Sequence, residues 1–478
     1  MKRRTFLEIL GLTGGAMVLK QSLWPNEALA APSSPQFLVV AYFGGGWDQL
    51  LALDPRDQTD ARFVKAAAYA KNGSGIYPAY DEAALADAAL KQTMGLTPVG
   101  SGGARTGVQS SGQLTFGPAV PQTFLTHAGD FNLVRGVTMD TLTHQVGMRY
   151  FLTGKFPRGL APNGSSIGTV VAGQQLDPAY NLPNLVVGGV EAYNESWPAA
   201  ASPIPVKDSA DLRDTLAPKG TALKPFVASG VASYELTADS CAAHGYDMSG
   251  LVSMFRDSRQ KAKQLTDPTL VNNFNFSNPQ QGTSVYDLLN HMDMLNPPPI
   301  STSPKWRAAV AAQALTTGVS QAVAVQLVSD LDDHFDWAGN QSVSQRSGWD
   351  ALGALINHLK LSPPPAGSTK PSFWDHTTLV VFSEFARTPL LNGRDGRDHH
   401  LANSCLIAGP GLKRGLVFGG TSDQTMAVTK RNFGNNAEDP TSAAPRPSDV
   451  HATVLTSMGL DTGHLSNQSP KLISYLIK

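Results

Sequence analysis

TTLVVFSEFARTPLLNGRDGRDHH, from Thr377 to His400, opens with an apolar, largely β-branched run, Leu379 to Phe382. Such a run reads as a strand buried on both faces. The strand delivers Ser383 and Glu384 at its carboxyl end. It then breaks into a polar loop carrying Arg387, Asn392, two glycines and Asp398-His399-His400. Carboxylates supply charge, imidazoles supply neutral nitrogen, and glycines let the backbone fold such groups onto one point. That combination is what a divalent metal ion requires.

Two more strands end in comparable groups. Gln36 to Phe43 (QFLVVAYF) runs into Gly44-Gly45-Gly46-Trp47-Asp48, where the glycines permit backbone angles that other residues avoid. The G-x-G-x-x-G spacing of a dinucleotide site is absent. Ala322 to Val328 (AVAVQLV) reads as a buried strand followed by Asp330, Asp332, Asp333, His334 and Asp336. This acidic cluster lacks the alternating acids, the sixth-position glycine and the terminal Glu of an EF-hand. Strands alternating with helices predict an α/β fold, a mostly parallel sheet with helices on both faces, and ligands in such sheets bind beyond the carboxyl ends of the strands. Asp48, Asp332, His334, Glu384, Asp398 and His399 are therefore expected to converge on one site, holding one or two ions.

The remaining pattern predicts strands at Phe131 to Val134, Asn184 to Val187 and Asn403 to Ala408. Helices are expected near Val120 to His127, Gln145 to Leu152, Ile167 to Gln175, Trp306 to Thr317 and Gln345 to Leu361, with a last one from Asp449 to Met458 capped by Ser448. Residues 55–115 read as an insertion with a Gly/Ser-rich loop at 95–113. Residues 191–304 read as an irregular cap with helical patches at 248–264 and 284–295. Its His244 and His291 follow no strand end, so they are read as surface or core-edge histidines.

A formal charge of -1 gives no bulk electrostatic reason to bind nucleic acid. The first 30 residues read as an export signal: Arg3-Arg4, an apolar stretch from Ile9 to Leu19 diluted by glycines, and Ala28-Leu29-Ala30 as a cleavage site. The expectation is a twin-arginine signal, hence the Tat export machinery as a partner, a periplasmic or otherwise exported location and no stable membrane span after cleavage. The main domain would then cover 31–478. Two cysteines, Cys241 and Cys405, make no disulfide framework, and Cys405 is placed in a strand as a buried thiol.

Together GGGWD, DDHFD, SEFARTPLLNG and GRDHH resemble the DUF1501 family, exported bacterial proteins of uncharacterised function related to the alkaline phosphatase/sulfatase superfamily. The resemblance covers nearly all of the chain after residue 30 and is weakest at 55–115 and 191–300. It implies an alkaline phosphatase-like three-layer sandwich. It implies metal roles for Asp48, for the Asp332/His334 pair, for Glu384 and for Asp398/His399, with His400 as a further neighbour. His144 to Gly154 (HQVGMRYFLTG) is similar to the sulfatase helix that opens with the catalytic residue; His144 stands at that position and Thr143 precedes it. The formylglycine precursor motif is absent. The implied function is a metal-dependent hydrolase of phosphate or sulfate esters, of small molecules or glycans, using Zn, Mn, Mg or Ca. Thr143 or His144 would be nucleophile or base. Arg387 would clamp the ester oxygens or else hold its loop by an ion pair. The alternative is a non-catalytic exported binding protein that keeps the fold and a structural metal.

Overall fold

The computed structural model describes residues 35–63, 75–95, 105–177, 179–216, 268–296 and 301–478, with positions 226 and 229. A mixed eight-stranded sheet lies at its centre. The strands are β1 Phe37–Phe43, β2 Asn132–Thr138, β3 Asn184–Val187, β4 Ile204–Val206, β5 Ala322–Val328, β6 Thr377–Phe382, β7 Ala402–Ala408 and β8 Val417–Gly419. Their order is β8-β2-β7-β6-β1-β5-β3-β4. β1 pairs in parallel with β5 and β6, and β3 with β4 and β5. β7 is antiparallel to both β6 and β2, and β8 is parallel to β2. Only β7 runs against the rest.

Helices cover both faces. Phe37, Val39, Ala41 and Phe43 of β1 enter one core with helices that include Pro304–Thr316 and Trp337–Leu361. Leu38, Val40 and Tyr42 enter the other, with His144–Thr153, Ile167–Gln174 and Pro447–Ser457. In chain order these helices are α1 His144–Thr153, α2 Ile167–Gln174, α3 Pro304–Thr316, α4 Trp337–Leu361 and α5 Pro447–Ser457. Burial on both faces explains why β1, β5 and β6 read as nearly unbroken apolar runs. Each such Val, Leu or Phe contributes about 1.5–3 kcal/mol by leaving water.

The departures from expectation have local causes. α4 begins at Trp337, not Gln345, because polar residues face inward with their amide N–H groups bonded. Gln341 donates to the Leu331 and Gly46 carbonyls at 2.6 and 3.2 Å, and Gln345 to the Asp48 carbonyl at 3.0 Å. β2 continues past Val134 through Gly136 (φ +68°), opposite a register slip between Asn403 and Ser404. α5 is not capped by Ser448, whose hydroxyl has no partner; the Arg446 backbone N–H donates to Asp449 Oδ2 at 2.8 Å instead. Region 191–304 supplies β3's edge partner β4. The 55–115 segment includes short helices Tyr80–Ala86 and Ala88–Thr93 and a hairpin of Gln109–Ser111 with Leu114–Phe116. Cys405 is buried in β7. The export signal, Cys241, His244 and the 248–264 patch lie outside the described residues. Among the described residues no helix is long and apolar enough to cross a membrane.

Candidate metal centre

Strand direction builds the site. β1, β2, β5 and β6 present their carboxyl ends at one sheet edge, and β7, running the other way, begins there. The edge therefore collects the loops after four strands and the residues that lead into a fifth: His144, Asp332, His334, Glu384, Asp398 and His399.

Three imidazoles turn their Nε2 atoms toward one carboxylate oxygen. Asp332 Oδ1 lies 3.2 Å from His144 Nε2, 3.2 Å from His334 Nε2 and 3.4 Å from His399 Nε2. The Nε2 atoms of His334 and His399 are 2.9 Å apart. Behind each ring, Nδ1 meets an acceptor: Glu384 Oε1 at 2.7 Å from His144, Asp398 Oδ1 at 2.8 Å from His334, and the Leu142 carbonyl at 2.6 Å from His399. A carboxylate or carbonyl can only accept, so each neutral ring carries its hydrogen on Nδ1 and points an Nε2 lone pair inward.

Backbone approach sets these distances. Gly147 lies one turn into α1, and a Cβ there would sit 2.6 Å from the Glu384 carbonyl oxygen. This glycine lets the helix press against the β6 end, so that His144 reaches Glu384. Gly45 has φ +109°, and a Cβ on it would lie 2.5 Å from the Leu331 nitrogen. Its own N–H donates to Glu384 Oε1 at 2.8 Å. In the long loop, Ala386–Arg387 pairs with His399–His400, and Asn392 donates to the His334 carbonyl and to Asp398 Oδ1, each at 3.1 Å.

Electrostatics follows the geometry. Burial would raise the Asp332 carboxyl, but the Arg387 hydrogen bond and neighbouring positive charge hold it down at about 2. Burial would lower His144, yet the hydrogen bond and charge of Glu384, with Asp332, carry it above the ordinary imidazole value. Burial draws His399 below that value.

Several anticipated residues sit elsewhere. Asp48 does not join the cluster: it is fully buried and pairs with Arg397 Nε at 2.8 Å. Arg387 is not free to clamp a substrate. Its Nε donates to the Gly46 carbonyl, its Nη1 to the Arg397 carbonyl and to His334 Nε2, and its Nη2 to the Gly45 carbonyl and to Asp332 Oδ1 at 2.6 Å. All five N–H groups are thereby used. The ion pair that holds it is with Asp332, not with Glu384 or Asp398. Glu384 and Asp398 stand behind imidazoles. His400 turns away to accept the Ala402 N–H, and His291 lies at the His358 ring. Thr143 is the exposed N-cap of α1, and its hydroxyl makes no capping hydrogen bond. Asp332 as the shared oxygen, the Leu142 carbonyl and Gly147 went unread in the sequence. A glycine one turn after a histidine at a helix start was the available signal.

The donor set fits a metal ion. Two ligand atoms about 2.1 Å from one ion lie roughly 3.0–3.4 Å apart at right-angle to tetrahedral geometry. The separations around Asp332 Oδ1 match. His144 Nε2 is buried with no well-directed hydrogen-bond partner despite the nearby carboxylate, as expected of an atom aimed at an ion. His144, Asp332 and His399 each offer a ligand atom within 4.8 Å of the others.

The fold and site define an α/β protein with an imidazole–carboxylate cluster at the carboxyl edge of its sheet. The DUF1501 family model, described as a protein of unknown function, matches residues 289–469 and supports the family resemblance. The matched stretch carries every cluster residue except His144. No curated protein matches the chain.

Proposed function

We propose that the protein is an exported, metal-dependent hydrolase of phosphate or sulfate esters, with an alkaline phosphatase-like fold. The observation that carries this reading is the convergence of the His144, His334 and His399 Nε2 atoms on Asp332 at an accessible strand edge, where the Asp332 side chain is 49% exposed. A bound divalent ion would supply Lewis acidity to the ester oxygens. Glu384, Asp398 and the Leu142 carbonyl orient the three rings. The first N–H groups of α1 favour an anionic ester at the same end. Thr143, exposed beside His144 with an unengaged hydroxyl, is the candidate attacking group. The twin-arginine pattern at Arg3-Arg4 supports export through the Tat machinery, and the substrate would be a small-molecule or glycan ester met outside the cytoplasm.

The test is a panel of aryl phosphate and aryl sulfate esters against metal-reconstituted protein and its Thr143→Ala variant. Turnover that chelation abolishes and that Thr143→Ala lowers by roughly two orders of magnitude supports the reading. No turnover of any ester by fully metal-loaded protein overturns it. One observation favours a second reading, an exported binding protein with a structural metal: every Arg387 donor is committed, which leaves that guanidinium none for ester oxygens.

A further inference from the structure

We propose that the cluster is a one-ion site for a borderline transition metal such as Zn²⁺ or Co²⁺, closed to Mg²⁺ and Ca²⁺. His144, His399 and Asp332 are its ligands, and Arg387, which donates to His334 Nε2, is a fixed second cation. This rests on reading the cluster as a metal centre and adds the ligand set, the ion count and the class of ion.

The donor count comes first. Two imidazole nitrogens, of His144 and His399, and one carboxylate oxygen, of Asp332, lie within 4.8 Å of one another, and imidazole suits Zn, Co, Ni, Cu and Fe, whereas Mg²⁺ and Ca²⁺ require oxygen cages. The other two carboxylates are committed. Glu384 Oε1 takes the His144 ring and the Gly45 N–H, and its Oε2 takes the Ser383 hydroxyl at 2.9 Å. Asp398 Oδ1 takes the His334 ring and Asn392. Glu384 is the kind of partner that orients a metal-bound histidine, here His144, while Asp398 holds His334 beside the site.

Charge comes second. Asp332, Glu384 and Asp398 against Arg387 leave the cluster two charges negative, which one divalent ion cancels; a second ion would leave it as strongly positive. Space comes third. The buried Arg387 guanidinium lies 2.6 Å from Asp332 Oδ1 and 3.4 Å from His334 Nε2, so a second ion on that side would meet a fixed positive charge. Asp48, a further carboxylate leaving this edge, is already neutralised by Arg397.

The experiment titrates Co²⁺ into chelator-stripped full-length protein. It reads the visible absorption of the bound ion and counts metal per chain by elemental analysis. One Co²⁺ per chain is expected, displaced by Zn²⁺ but not by a roughly thousand-fold excess of Mg²⁺ or Ca²⁺. His144→Ala and His399→Ala are expected to weaken binding more than about 100-fold, and Glu384→Gln about 10–100-fold with the count unchanged. Circular dichroism checks each fold; if His399→Ala does not fold, His144→Ala, whose ring is 29% exposed, decides the ligand question. Two ions per chain, or displacement by Mg²⁺ or Ca²⁺, overturns this assignment and leaves the metal centre standing. So does loss of binding in Glu384→Gln with retention in His144→Ala. Failure to bind any divalent ion overturns the metal centre as well.

Discussion

Asp48 and Asp332 leave neighbouring strands, β1 and β5, and each meets an arginine from the loop after β6. Asp48 and Arg397 are both sealed from solvent, and the guanidinium also stacks 4.5 Å from the Trp337 ring. Asp332 keeps 49% of its side chain exposed and shares one oxygen with Arg387 and three histidines. The same residue types at the same sheet edge yield a closed strut in one place and an open centre in the other. The difference is occupancy: Asp48 is sealed with one counter-charge, while Asp332 shares a half-exposed oxygen with Arg387 and three imidazoles, and His144 Nε2 among them has no hydrogen-bond partner.

The largest effect that would break this comparison is on stability. Removing one partner of the closed pair strands a buried charge, so Arg397→Met should cost about 3–5 kcal/mol in urea unfolding. A cost under about 1 kcal/mol would mean that the pair is not the strut described.

Next comes Gly147→Ala. The added methyl would overlap the Glu384 carbonyl, so α1 must shift, at about 1–3 kcal/mol. Metal affinity should fall with it, as His144 withdraws from Glu384. A variant with unchanged melting and unchanged metal content would remove Gly147 from the account of the site.

The cluster imidazoles can also be set against a histidine pair that has no carboxylate behind it. His358 is buried with its Nδ1 3.1 Å from that of His291, and burial, then the His291 charge, push its pKa down to about 3. A lowered imidazole pKa means that the unfolded chain binds the extra proton. Its contribution is complete above about pH 6.5 and declines by roughly 1.4 kcal/mol per pH unit from there toward pH 3. Stability of His358→Leu relative to the parent, measured by denaturant titration at pH 7, 6 and 5, should shift in the variant's favour as pH falls. A constant difference would contradict the assignment.

The smallest effect sharpens the contrast most. In metal-free protein Asp332→Asn should change stability by less than about 1 kcal/mol, because the Asp332 carboxylate is half exposed, an amide oxygen there can still accept from the buried Arg387, and Arg387 retains its backbone partners. The same variant should lose metal. A loss of several kcal/mol without metal would make Asp332 a second strut.

Much of this was legible along the chain. Buried strands carry their own signature because both faces are covered, so β1, β3, β5 and β6 could be read from unbroken apolar runs. A carboxylate or imidazole just past such a strand could be flagged by type alone, which picked out Asp332, His334, Glu384, Asp398 and His399. The polar inner face of α4 was hidden, since Gln341 and Gln345 are buried through amide hydrogen bonds to loops close only in space. The edge strands β4 and β8, three residues each, are too short to register a period.

Residue type along the chain determined which groups can bind a metal and which strands deliver them. Tertiary structure decided which of those groups face inward. The reversed direction of β7 brings His399 to the edge where β1, β5 and β6 end, and close approach at Gly147 and Gly45 brings α1 and the β5 loop into reach. Only then do Glu384 and Asp398 become the acceptors behind two rings, Asp48 the counter-ion of Arg397, and Asp332 the oxygen three imidazoles share. A carboxylate is a ligand, a hydrogen-bond acceptor or half of an ion pair according to what lies within about 3 Å of it, and for these residues those neighbours come from distant parts of the chain.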